Sequence, residues 1–118
     1  MKFLMTYEQQ PTQKPPTPEQ MAAIGAFTQE MAKSGVLVMT GGLERPTKGT
    51  KVKLSKGDFT VTDGPYAETK ELIDGFALIE VGSRKEAIEI ARRFMAIAGD
   101  GQGEILQVLD PGASPPPR

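Results

Sequence analysis

The chain has 118 residues, and its 14 basic and 15 acidic side chains nearly cancel. A chain of this length suits one domain. Because the basic and acidic side chains are nearly equal in number, the net charge gives no electrostatic basis for binding nucleic acid or an anionic membrane. Cysteine and histidine are both absent, which excludes disulfides, thiolate chemistry, and the commonest general base and transition-metal ligand.

The N-terminal part of the sequence predicts a strand, a helix and a second strand. Residues 1–8 alternate as a strand does, and a proline-rich loop follows them. A helix is predicted from residue 18 to residue 33, with Thr17 as its cap and Gln20 in the position that completes a capping box. The next strand is predicted over 36–40. Four apolar residues at helical spacing form the predicted buried stripe of the helix: Met21, Ile24, Phe27 and Met31.

The middle of the sequence predicts a hairpin followed by a central strand. Residues 51–55 and 58–62 are rich in β-formers and flank Lys56-Gly57, a dipeptide suited to a tight turn. Residues 75–81 have apolar side chains on both faces of a strand, which is typical of a strand in the middle of a sheet.

A second helix is predicted to follow Ser83, again with a capping box because Glu86 lies three residues later, and to end at Gly99. On its polar side, Glu89 is placed to pair with Arg93 one turn further on. A last strand, residues 104–110, completes the order of elements.

This order predicts an α+β domain of the ferredoxin-like type, βαβ–hairpin–βαβ, with both helices on one face of the sheet. We expect the domain to span 1–110 and the proline-rich residues 111–118 to form a disordered tail. Two helices cover one face only, so some apolar side chains must point away from them. We therefore predict a homodimer whose two sheets face each other and close a dimeric α+β barrel around a cavity. Five side chains cannot all face the helices: Phe3, Met5, Tyr7, Leu78 and Val108.

The most specific segment is TVTDGPYAETKELIDGF, residues 60–76. It resembles the signature of the DGPF, or YCII-related, family, because Asp63-Gly64-Pro65 and the AETKE run match and Tyr66 replaces the usual phenylalanine. MKFLMTYE at the start of the chain and SGVLVMTGGLE at 34–44 fall where the family places them.

The resemblance implies a dimeric α+β barrel and bacterial proteins of about this size. Some members are encoded beside extracytoplasmic-function sigma factors, and a few relatives are small-molecule enzymes. YciI-like relatives have a proposed His–Asp pair. This chain has no histidine, so that mechanism does not transfer to it.

The corner at 63–70 brings an acid, a phenol, a hydroxyl and an amine into eight positions, and loops held by a rigid sheet often carry functional sites. Asp63 is the candidate catalytic residue, either as a general base or as an anchor for a polar ligand. A small organic molecule in the barrel cavity is the predicted ligand, with no cofactor and no metal. The candidate ligand-binding residues are Tyr7, Tyr66, Glu68, Thr69 and Lys70.

Each candidate also has an ordinary structural interpretation. Asp63 before Gly-Pro is common turn chemistry and would then only brace the bend. The charged side chains of Glu68, Lys70 and Glu71 would belong to a solvated surface turn, and Tyr7 would be a core residue whose hydroxyl contacts solvent. Gly41-Gly42 would form a bulge or bend, rather than a close approach to a ligand.

Two functional classes therefore remain open from the sequence. One is a cofactor-free acid–base enzyme, and the other is a non-catalytic ligand-sensing or interaction module, linked to sigma-factor regulation. DGFALIEV resembles an RNA-binding strand motif only in passing, because Asp74 stands where a basic residue is expected. No run approaches the roughly 20 apolar residues that span a bilayer, and we expect a cytoplasmic protein.

Overall fold

A computed structural model describes residues 1–10, 16–43, 49–63 and 74–109. The elements in chain order are β1 (Lys2–Gln9), α1 (Pro18–Lys33), β2 (Leu37–Gly42), β3 (Thr50–Ser55), β4 (Asp58–Asp63), β5 (Gly75–Glu80), α2 (Arg84–Ala98), β6 (Gly101–Gln102) and β7 (Ile105–Val108). Neither α1 nor α2 is long and apolar enough to cross a membrane.

The main sheet is antiparallel, with β5 between β2 and β1, and with both β6 and β7 paired to the other edge of β1. The predicted central position of the strand at 75–81 is therefore confirmed. Two helices and this antiparallel sheet make a mixed α+β domain consistent with the predicted ferredoxin-like fold. Strand β6 was not predicted from the sequence.

The core lies between α2 and one face of the sheet, which we call the inner face. Phe3 and Ile79 are fully buried and pair across β1 and β5, and Ala87 of α2 packs with them. Because side chains two apart on a strand share a face, Met5 and Tyr7 lie on the inner face with Phe3.

The opposite side of the sheet, which we call the outer face, has a row of large apolar side chains. The strand register places Met39, Leu78, Leu4 and Leu106 side by side across four strands. Met39 and Leu106 at the ends of the row are 59% and 50% exposed. Leu78 and Val108 lie on this face, so the apolar residues are divided between the two faces as expected.

Both helices begin as predicted, but the second cap differs in detail. Thr17 and Gln20 form the reciprocal capping box of α1. At α2 the Ser83 hydroxyl accepts from the Glu86 N–H, whereas the Glu86 carboxylate accepts from the N–H of Gly82, one residue before the cap. The predicted second capping box is therefore only half formed.

The predicted pair between Glu89 and Arg93 is wrong. Arg93 instead binds Glu30 of α1, with 2.6 Å between Nη2 and Oε2, and its guanidinium lies 4.9 Å from the centre of the Phe27 ring. Glu89 pairs with Arg92 at 3.4 Å. The physical reason is that α1 lies beside α2, so that Arg93 meets a carboxylate and an aromatic ring on the neighbouring helix.

Strands β3 and β4 form a two-stranded sheet of their own, inserted between β2 and β5. Lys56 and Gly57 both have positive φ, 51° and 85°, which is the backbone of a type I′ hairpin turn. The predicted hairpin is thus confirmed, with each strand one residue longer than predicted. We call residues 50–63 the arm, and every residue of β3 and β4 is exposed.

Candidate functional site

A cavity of about 660 Å³ lies between the inner face of the sheet and the two helices. This volume is within the range of small-molecule binding sites in proteins, roughly 300–1,000 Å³. Apolar side chains from both helices and three strands form most of its wall: Met5, Ile24, Phe27, Met31, Leu37, Ala77, Ile90, Ala91 and Phe94.

Small residues explain why a space remains between sheet and helices. Ala77 in the central strand and Ala91 on α2 both line the cavity, at positions where larger side chains would fill it. The predicted stripe of α1 is only partly buried, because Phe27 and Met31 are buried whereas Met21 is exposed. The N-terminal half of α1 therefore borders the cavity and does not close onto the sheet.

Tyr7 lies at one end of the cavity and joins β1 to the end of α2. Its hydroxyl is 2.9 Å from the carbonyl oxygen of Gly99 and 3.3 Å from that of Asp100, and it donates its hydrogen to this pair of acceptors. The ring meets Phe94 edge to face, with 5.2 Å between ring centres. Burial raises the pKa of the Tyr7 phenol, and the carboxylates of Asp74 and Asp100 raise it further. The phenol is therefore protonated at neutral pH and does not act as a base.

Asp74 is the second polar group at this end, and it was not among the site residues predicted from the sequence. Its carboxylate Oδ2 accepts from the Gln9 N–H at 2.7 Å, and its own N–H donates to the Tyr7 carbonyl at 2.8 Å. Its carbonyl accepts from the Leu43 N–H at 2.9 Å. The carboxylate position is thus fixed by β1 and the end of β2. The available signal was an acidic residue directly before a central strand.

Gly41 and Gly42 also line the cavity. The predicted bulge lies elsewhere, since the register of β2 shifts between Leu37 and Met39 and is regular at the glycine pair. A Cβ on Gly41 would lie 3.2 Å from the Phe76 ring, so this position favours glycine because the neighbouring aromatic side chain covers it.

Asp63 lies at the end of β4, on the arm, and is exposed. Its Oδ1 accepts a hydrogen bond from the hydroxyl of Thr50, its cross-strand neighbour, at 3.1 Å. It is not among the described residues that line the cavity. Of the other candidates, Tyr7 lies at the cavity, whereas four lie outside the described residues: Tyr66, Glu68, Thr69 and Lys70.

Within the ranges that the structure describes, no group of three or more acidic side chains is placed to hold a metal ion. Asp74 is the charged residue among the described residues of the cavity wall. The arrangement is an apolar chamber with a phenol and a carboxylate at one end, which suits an apolar molecule that has a polar group.

The antiparallel sheet, the two helices on its inner face and the cavity between them define a small α+β domain of ferredoxin-like topology. Residues 1–110 match the family model of the YCII-related domain, and the chain belongs to this family. The resemblance first seen at residues 60–76 is thereby confirmed. An uncharacterised protein of Rhizobium meliloti (strain 1021) is 34% identical over 98 residues, which cover 80% of this chain and 79% of the relative.

Proposed function

We propose that this YCII-related domain binds a small, mainly apolar organic molecule in the cavity between helices and sheet. The observation that supports the proposal is a cavity of about 660 Å³ with an apolar wall and polar groups at one end. Ligand sites in proteins commonly combine such a wall with a few fixed polar groups that orient the ligand.

The polar end favours a ligand that donates hydrogen bonds. The hydrogen of the Tyr7 hydroxyl is already directed to the carbonyl oxygens at the end of α2, so the remaining capacity of this oxygen is to accept. Asp74, whose carboxylate accepts from the Gln9 N–H, is the acidic residue of the cavity wall among the described residues. A hydroxyl, amide or amine group on the ligand would donate to the Tyr7 oxygen.

Two alanine-to-phenylalanine variants on α2 test the cavity directly. Ala91 lines the cavity, whereas Ala96 is exposed on the same helix. Small apolar alcohols and amines would be titrated into ¹⁵N- and methyl-labelled protein. We expect shifts centred on Met5, Ala77 and Phe94, abolished by Ala91→Phe and retained in Ala96→Phe. Shifts that survive Ala91→Phe, or that centre on the arm or the outer face, would contradict the proposal.

Catalysis remains a proposal centred on Asp63, and two variants separate it from a bracing role. Asp63→Asn removes the carboxylate charge but keeps an oxygen that can accept from the Thr50 hydroxyl, whereas Thr50→Val removes this cross-strand hydrogen bond and keeps the carboxylate. Once a ligand is found to be turned over, loss of turnover in Asp63→Asn alone, with binding retained, would support an acid–base role. Unchanged turnover would favour the non-catalytic sensing or interaction module. A melting temperature lowered in Thr50→Val, with turnover unchanged in both variants, would assign Asp63 to bracing the arm.

The remaining sequence candidates stay in the proposal as ligand contacts: Tyr66, Glu68, Thr69 and Lys70. A bacterial, cytoplasmic location and a link to sigma-factor regulation are further proposals, which rest on the sequence and on the family resemblance.

We also propose that the chain is a homodimer through the outer face. The row of Leu4, Leu78, Met39 and Leu106 supports this, because a contiguous apolar patch of this kind commonly marks an interface. Sedimentation equilibrium of the wild type and of Leu106→Glu is the test. We expect the wild type to be dimeric at micromolar concentration and the variant to dissociate, whereas a monomeric wild type would refute the proposal.

A further inference from the structure

The arm has an apolar face that is open to solvent. In its register Val52 pairs with Val61 and Leu54 pairs with Phe59. Directly opposed residues share a face of the hairpin, so the four side chains form one continuous surface. Their exposed fractions are between 59% and 70%: Val52 60%, Leu54 70%, Phe59 65% and Val61 59%.

The other face of the arm is polar. Lys53 pairs with Thr60, and Lys51 pairs with Thr62. Strict alternation of apolar and polar residues is the pattern of a strand pair with one buried face. An isolated two-stranded hairpin is at best marginally stable in water. The arm therefore has the residue pattern of a hairpin with one buried face, although that face is exposed to solvent in the structure.

We infer that the apolar face of the arm packs against a second copy of this chain, extending the dimer interface proposed above, on which this inference rests. Interface area favours a second copy as the occupant. The four arm side chains present roughly 400–500 Å² at their observed exposures, and a stable interface needs about 800 Å² from each partner.

The outer face of the sheet supplies the remaining area. Met39, Leu106 and Val108 are its most exposed apolar residues and present roughly 300 Å², less than half of what a stable dimer needs. Neither surface is sufficient by itself, whereas the two together reach the required size. In a two-fold dimer each copy supplies both surfaces, so the contact between arm and partner forms twice.

Two double variants of the arm provide a matched test by sedimentation equilibrium. Leu54→Glu with Phe59→Glu places two charges on the apolar face, and Lys53→Glu with Thr60→Glu places two on the polar face one register step away. Because each substitution occurs twice in the dimer, we expect the first variant to raise the dimer Kd by about thirtyfold or more. The second variant should change it by less than about threefold.

Thiol protection gives an independent measurement in an arm that is otherwise unaltered. The chain contains no cysteine, so Leu54→Cys and Lys53→Cys each introduce a single thiol, one on each face. We expect the rate constant of alkylation at Leu54→Cys to fall about tenfold as protein concentration rises from well below the Kd to about fifty times the Kd, because a buried thiol reacts only through the free monomer. Alkylation of Lys53→Cys should not change.

The outcomes separate this inference from the proposed dimer. A dimeric wild type whose Kd is unchanged by Leu54→Glu with Phe59→Glu would overturn the role of the arm and leave the dimer intact. A monomeric wild type would overturn both. If Leu54→Cys is protected equally at all concentrations, another part of the same chain covers the arm, and the inference is likewise overturned.

Discussion

Replacing Tyr7 with phenylalanine tests the geometry at the polar end of the cavity. The substitution keeps the ring and its edge-to-face contact with Phe94 but removes the hydroxyl that donates to the Gly99 carbonyl at 2.9 Å. A hydrogen bond of this kind contributes about 1 kcal/mol to the free energy of unfolding. In a domain of this size we expect Tm to fall by roughly 4 °C. Tyr7→Leu should cost about 1 kcal/mol more, because it also removes the aromatic pair.

The pH dependence of stability gives the same prediction a second readout. The pKa of Tyr7 in the folded chain is raised above its ordinary value of 10.0, so the folded state holds this proton more tightly than the unfolded state does. The resulting stabilisation is complete below the unfolded pKa and is lost as pH rises through the folded pKa. Unfolding by urea at pH 8 and at pH 11 should therefore show a smaller loss of stability in Tyr7→Phe than in the wild type.

These measurements need one fixed protein concentration, because a dimer would make the apparent stability depend on it. The chain has two tyrosines, so the absorbance titration of Tyr7→Phe should lose one phenol transition, the one whose pKa is raised above the ordinary 10.0 by burial. If Tyr7→Phe and the wild type have the same Tm and lose the same stability between pH 8 and pH 11, the hydrogen bond between the Tyr7 hydroxyl and the end of α2 is refuted.

Three further substitutions test the fold around this site. Phe3→Ala removes a fully buried core side chain and should lower the free energy of unfolding by about 3–5 kcal/mol in urea denaturation; a loss below about 1 kcal/mol would contradict the assigned core. Arg93→Ala removes both the ion pair with Glu30 and the contact with an aromatic ring, and should lower the free energy of unfolding by about 1 kcal/mol. Arg92→Ala should have a smaller effect, because its exposed ion pair contributes little. Equal effects of the two substitutions would contradict the interhelical role of Arg93. Gly103→Ala should lower Tm sharply, because a Cβ there would collide with the backbone of β1, and a neutral result by calorimetry would show that this close approach is absent.

The order and type of the elements could be predicted because the local signals agree with the fold. Thr17 and Gln20 form the capping box expected from their spacing, and Lys56-Gly57 adopts the turn expected of a hairpin. The prediction that was wrong depends on a residue that is distant in the sequence. Glu89 and Arg93 are correctly spaced for a pair along one helix, but the partner of Arg93 comes from α1, and no local pattern contains that carboxylate.

The candidate site was predictable only in part, for a similar reason. Tyr7 could be selected because a strand tyrosine has an apolar ring and a polar tip, and it does line the cavity. Asp74 became apparent only when the register brought the start of β5 beside the ends of β1 and β2. For Asp63 the sequence indicated a turn but could not give its direction, and its bond to Thr50 depends on the pairing of β3 with β4.

The two faces of the sheet differ in what borders them. On the inner face Ala77, together with Ala91 of α2, lines a cavity that leaves volume for a ligand. On the outer face Leu4 and Leu78 stand side by side in a filled row, which leaves no such volume and suits contact with another surface. The sequence predicted a hollow between two facing sheets, whereas the cavity within one chain lies on the other side of the sheet.

This separation predicts that ligand binding and dimerisation are independent. Ala91→Phe should change the dimer Kd by less than about twofold, and its effect should add to that of Leu106→Glu, because distant sites without shared partners are usually additive. Sedimentation of the two single variants and the double variant measures the coupling. A coupling of more than about 1 kcal/mol would show that filling the cavity alters the outer face, and that the second copy of the chain helps to form the binding site.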